Sequence, residues 1–188
     1  MKNLKAIAIA LVVVLTTASV TAQNKKVDTS KSSINWVGKK VTGQHNGTIN
    51  IKDGDLVFKG KKLVGGSFTV DMASINTTDL TGKSKTNLDG HLKADDFFGT
   101  EKFPTATLVF KTISTKTKNV YKVTADLTIK GITNLVPFEI TVKGNTATTK
   151  FNVDRTKYDI KYGSKSFFES IGDKAISDEF ELEVALNF

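Results

Sequence analysis

The chain reads as an all-β protein of eight or nine antiparallel strands closed into a barrel, with one short helical insert around residues 84–98. Three observations carry that expectation. From Ser33 onward the apolar residues recur with a period of two, as in strands buried on one face. Glycine-containing dipeptides separate the runs at tight-turn spacing. Only Leu88 to Pro104 breaks the alternation.

At the start, Lys2 and Lys5 precede the apolar run Ala6 to Leu15, and Val20-Thr21-Ala22 offers small residues suited to signal-peptide cleavage. Residues 1–22 are therefore expected to be a removed export signal, leaving 23–188 as one barrel domain, periplasmic or secreted. The run is too short to serve as a membrane anchor. With no cysteine, the chain has neither a lipid-attachment residue nor a disulfide, and an oxidising compartment suits it. Beyond the leader, 25 basic residues stand against 19 acidic ones, a net charge of about +6 spread over turns and outward strand positions.

In the first strand Ile34, Trp36 and Gly38 alternate with Asn35, Val37 and Lys39. Ile49 and Ile51 follow, and Asp53-Gly54 predicts a hairpin before Leu56-Val57-Phe58. Phe68, Val70 and Met72 alternate next. Past the insert come Ala106, Leu108 and Phe110, and then Tyr121 to Ile129. Lys130-Gly131 turns the chain into Phe138, Ile140 and Val142, and Gly144-Asn145 turns it again towards Phe151 and Val153. The last run interleaves Phe180, Leu182, Val184, Leu186 and Phe188 with Glu179, Glu181, Glu183, Ala185 and Asn187. One sheet cannot hide so many one-sided strands, so a second sheet or closure on itself is required. Runs of about ten residues at ~3.3 Å each are long for a small sandwich and suit tilted barrel strands.

In the insert, Thr86 followed by Asp89 has the spacing of a capping box, and Leu88 and Leu92 share one helical face. Asp95 or Asp96 offers a second cap before Phe97 and Phe98. An aromatic-bearing lid implies something to cover.

The run Gly66-Ser67-Phe68-Thr69-Val70-Asp71-Met72, then His91-Leu92 with Asp95 and Phe97-Phe98, then Phe103-Pro104 with Ala106, resembles the YceI-like family of secreted lipid-binding proteins. Asp154-Arg155, Gly172-Asp173 and the final strand extend the similarity over the mature chain. The resemblance implies a lipocalin-like barrel with an elongated apolar lumen for a polyisoprenoid or similar long-chain amphiphile, and no cofactor. The tail Tyr158 to Lys174 departs from it, being longer and more aromatic than the family's usual loop.

Candidates for the lumen are Trp36, Phe68, Val70, Met72, Leu92, Phe97, Phe110, Tyr121 and Phe151. The same inward alternation serves a solid core equally well. At the mouth, His91, Lys93 and Arg155 are candidates for a polar headgroup, with Tyr158, Phe167 and Phe168 beside them. His91 serves as well to tie the insert to the barrel through hydrogen bonds, and His45 reads as part of an exposed turn. Asp71 is expected to be buried and satisfied by backbone or by Arg155. Because adjacent residues of an extended chain point apart, one member each of Phe97-Phe98 and Phe167-Phe168 is expected on a greasy rim that touches membrane transiently. An edge left by imperfect closure would pair two copies in a homodimer.

Competing classes draw less support. Two histidines and no cysteine disfavour a zinc site, and no G-x-S-x-G elbow marks a hydrolase. Gly82-Lys83-Ser84 imitates the close of a phosphate loop, but Thr77 stands where its first glycine belongs. Lysines interleaved with aromatics suit single strands of nucleic acid, which an exported chain seldom meets. A filled barrel acting as an interaction or stress-response module, without enzymatic activity, stays open beside the lipid carrier.

Overall fold

The computed structural model describes residues 21–168 and 172–188. The leader reading falls almost wholly outside them, and Ala22 itself begins strand β1, Ala22–Lys26. β2 (Ser33–Lys40), β3 (Gly43–Lys59) and β4 (Lys62–Thr77) lead to helix α1 (Gly82–Lys93). β5 (Thr105–Thr117), β6 (Val120–Ile129), β7 (Ile132–Lys143) and β8 (Thr146–Asp154) form a meander. A short 3-10 turn, Arg155–Tyr158, starts the long connection to β9, Ile176–Asn187.

All neighbouring strands are antiparallel, in the order β3-β2-β9-β8-β7-β6-β5-β4, and β4 returns to pair with β3. The result is a closed eight-strand barrel. β1 is an extra strand laid along β3, with Ala22 opposite Lys59. Closure removes the edge that β3 and β4 would otherwise present to a second copy. The weakest seam lies between β7 and β8, which pair only over Ile140–Lys143 and Thr146–Thr149. Beyond that point they splay, and the Phe138 and Phe151 rings stack across the gap with centroids 4.8 Å apart.

The turn dipeptides behaved unequally. Lys130 and Gly131 both take positive φ, 51° and 75°, and make the β6–β7 hairpin as their sequence predicts. Asp53-Gly54 does not turn. β3 runs straight through it with a bulge between Ile51 and Asp53. Gly54 is there because a Cβ would sit 2.5 Å from the Phe68 ring. Gly47 has a similar reason, since its Cβ would meet the Trp36 indole at 2.5 Å. His45 accordingly lies within β3 rather than in an exposed turn, with Nδ1 2.9 Å from Asp79 Oδ2.

α1 spans Gly82–Lys93, starting two residues before the helical insert expected around residues 84–98 and giving way to turns after Lys93. Neither predicted cap forms. The N-cap is Thr81, whose side chain makes no capping bond, while Thr86 Oγ1 donates to Gly82 O at 3.3 Å. Asp89 faces β4 instead: Oδ1 accepts the Thr77 N–H at 2.7 Å and Oδ2 accepts Lys85 Nζ at 2.7 Å. Lys85 also reaches Thr77 O at 2.7 Å. Asp95 starts a run of turns and pairs with Lys102. Because those turns are not extended, Phe97 and Phe98 are both buried, contrary to the one-in, one-out expectation.

Candidate functional site: an apolar barrel lumen

Inward side chains leave room inside the barrel. A lobe of about 130 Å³ lies under the insert, and one of about 90 Å³ lies deeper. Ile34, Val70, Ala106, Leu127 and Leu182 line both, so the two lobes lie side by side along the barrel interior. The wall is almost wholly carbon.

Trp36, Met72, Leu92 and Phe97 line the lobe under the insert. Phe68, Phe110 and Phe151 line the deeper one, and Val70 borders both. Trp36 is held by its indole N–H, which donates to Thr48 O at 3.2 Å. Phe110 links Phe68 and Phe138 through ring contacts of 5.8 and 5.7 Å. Tyr121 lines neither lobe. It sits at the opposite end, where its hydroxyl donates to Lys61 O at 3.4 Å.

The residues assigned to the mouth are distributed differently. Arg155 borders the first lobe but is only 2% exposed. Its guanidinium donates to Ile160 O at 2.7 Å, Ser177 O at 2.9 Å and Ile176 O at 3.1 Å. Asp178 lies 3.6 Å away. Burial pulls the Arg155 pKa below its ordinary value, opposed by Asp178 and Asp154. This cation is a strut joining the late loop to β9, not a free charge for a headgroup. Nor does it satisfy Asp71, which is half-buried and accepts the Ala73 N–H at 3.1 Å. Tyr158 is buried and borders neither lobe. Lys93 ends α1, and its carbonyl accepts from Thr100 N–H at 3.0 Å.

Among the described residues, His91 makes no side-chain hydrogen bond that ties the insert down. Its ring meets Tyr162 edge-on at 4.4 Å and Phe97 at 5.4 Å, while Nε2 is buried without a partner among the described residues. Aromatic contact joins helix, turn and late loop here. Phe167 and Phe168 are both exposed, whereas one was expected to turn inward.

A model of the YceI-like domain matches residues 26–188. The chain belongs to this family. UPF0312 proteins of Staphylococcus aureus are 43% identical over 76 residues, which is 40% of this chain and 38% of theirs. Among solved structures, BcnA of Burkholderia cenocepacia superposes with a TM-score of 0.64 at 24% identity, covering 85% of this chain and 98% of that one. A polyisoprenoid-binding domain from Saccharophagus degradans gives 0.59 at 13% identity, covering 86% and 95%. The Campylobacter jejuni YCEI protein gives 0.51 at 17%, covering 100% and 99%. At such identities these structures establish the YceI-like fold.

Within that YceI-like barrel the sequence reading overlooked several wall residues. Phe98 was set aside by the rule for extended chain, which a turn does not obey. Phe180 and Leu182 also line the lumen, and the clean alternation of the last run was the signal that pointed to them.

Proposed function

We propose that this protein holds the hydrocarbon chain of an isoprenoid or similar long amphiphile in its lumen, for carriage or storage outside the cytoplasm. The almost wholly carbon wall of the two adjoining lobes is the observation that carries this reading. Each buried methylene contributes about 0.8 kcal/mol, so affinity comes from tail length. The lobes are slimmer than ordinary small-molecule pockets of roughly 300–1,000 Å³, which suits a thread entering end-on better than a compact ligand. The fold shared with the Saccharophagus degradans polyisoprenoid-binding domain supports the same substrate class.

With Arg155 committed to backbone carbonyls, the polar head stays outside the wall, and selectivity rests on chain length and thickness. The Lys-flanked apolar run at residues 2–15 supports export, and loading calls for transient membrane contact. Organic extraction of the exported protein followed by mass determination tests the proposal. A long-chain lipid recovered near one per chain is expected. A reproducibly empty protein that takes up no polyprenyl alcohol from detergent overturns it in favour of an interaction module.

A further inference from the structure

The barrel end that carries α1 also carries a ring of exposed apolar side chains. Val41 is 56% exposed, Tyr162 48%, Phe167 49% and Phe168 51%. Backbone bonds knit them to the barrel. Val41 N–H donates to Ala175 O at 3.2 Å, Ile176 N–H to Gly163 O at 2.8 Å, and Phe168 N–H to Ser164 O at 3.0 Å. The opposite end keeps its aromatics covered, with Phe58 buried and stacked on Phe188 at 5.6 Å beneath Lys25.

Around this ring Lys39, Lys40, Lys157, Lys161, Lys165 and Lys174 are exposed. Lys161 Nζ lies 5.1 Å from the Phe167 ring centroid and 2.7 Å from Asp159. Of the other carboxylates described in the late loop and at the start of β9, Asp173 is exposed, Asp178 is tied to Ser166 and Arg155, and Glu179 accepts from Asn152. On the insert side Asp79, Asp89 and Asp95 are paired with His45, Lys85 and Lys102, and Asp96 and Glu101 are exposed. The excess of cations surrounds half-exposed rings, the composition that settles into an anionic lipid interface. The wider lobe, walled by Phe97, Phe98 and Ile176, lies directly behind.

We propose that this end is a docking surface for an anionic bilayer, through which the lumen exchanges its cargo. The exchange rests on the lipid-holding function proposed above; the docking stands without it. The test is Phe168→Trp in the full chain, titrated with vesicles of phosphatidylcholine alone and with about one third phosphatidylglycerol. Trp36, the natural tryptophan, is buried, so the added indole reports the surface.

The expected result is a blue shift and co-sedimentation with anionic vesicles only. Co-sedimentation weakens about tenfold in a Phe167→Ser, Phe168→Ser variant of the unlabelled protein, and both the blue shift and the co-sedimentation of the Phe168→Trp protein fall with added salt. Equal binding to neutral vesicles, or none to anionic ones, overturns the proposal. Vesicle binding by a protein that yields no lipid on extraction keeps the docking and removes the cargo; lipid recovered without vesicle binding does the reverse.

Discussion

Tyr158 is a buried phenol whose hydroxyl has no hydrogen-bond partner among the described residues. Burial first, and the Asp154 charge second, push its pKa from 10.0 up to about 12. Folding therefore favours the protonated form. That contribution is intact below pH 10 and is lost as pH rises through about 12. Because an unpaired hydroxyl gives little back for its desolvation, Tyr158→Phe is expected to leave stability within about 1 kcal/mol of the wild type, or to raise it. Urea unfolding between pH 8 and pH 11 checks both statements: the wild type loses stability at the alkaline end, and the variant loses less. A drop above about 2 kcal/mol for the variant at pH 8 would mean that the hydroxyl is bonded after all. Neither Tyr158 nor Arg155 could be placed from sequence, since a lone polar residue in a loop carries no periodicity to show whether it is covered.

Among the ties that hold the insert to the barrel is one carboxylate with two partners. Asp89 binds the Thr77 N–H and Lys85 at once, so α1 and the end of β4 move together. Burial works to raise its pKa, but Lys85 and Thr77 outweigh it and hold the carboxyl below the ordinary value of 3.8. A depressed carboxylate stabilises the fold above its unfolded pKa and loses that contribution as pH falls through the folded value. Acid should therefore loosen the insert before the barrel. Asp89→Ala is expected to cost about 1–3 kcal/mol, and amide exchange should quicken at Thr77 and along α1 while β6 stays protected. Uniform exchange across both elements would refute that order. The sheet was legible because alternation reports which face is buried. The helix of the insert was legible as well, but its caps were not, because Thr86 and Asp89 have a cap's spacing while a tertiary bond to Thr77 claims the carboxylate. Asp53-Gly54 misled for a related reason: its glycine answers to the Phe68 ring across the sheet, a contact that local sequence does not reveal.

The whole molecule works as a container only if its two lobes act as one space. Most of their wall was readable from inward alternation, yet alternation alone left a hollow barrel and a filled one equally open. The difference lies in side-chain volumes summed around a closed circumference. Ala106 is the small residue where that sum is decided. It is buried, pairs with Val70 across the β4–β5 ladder, and borders both lobes. Ala106→Phe places a ring at the waist between them, at an overpacking cost of about 1–3 kcal/mol. If a single chain threads both lobes, the variant recovers markedly shorter lipids on extraction, or none, while circular dichroism and cooperative unfolding show the barrel intact. Stopping the tail at the outer lobe forfeits the methylenes that would have reached the inner one, each worth about 0.8 kcal/mol, so four fewer cost roughly 3 kcal/mol and more than a hundredfold in affinity. Cargo of unchanged length and amount from a well-folded Ala106→Phe would mean that the deeper lobe is mere packing space.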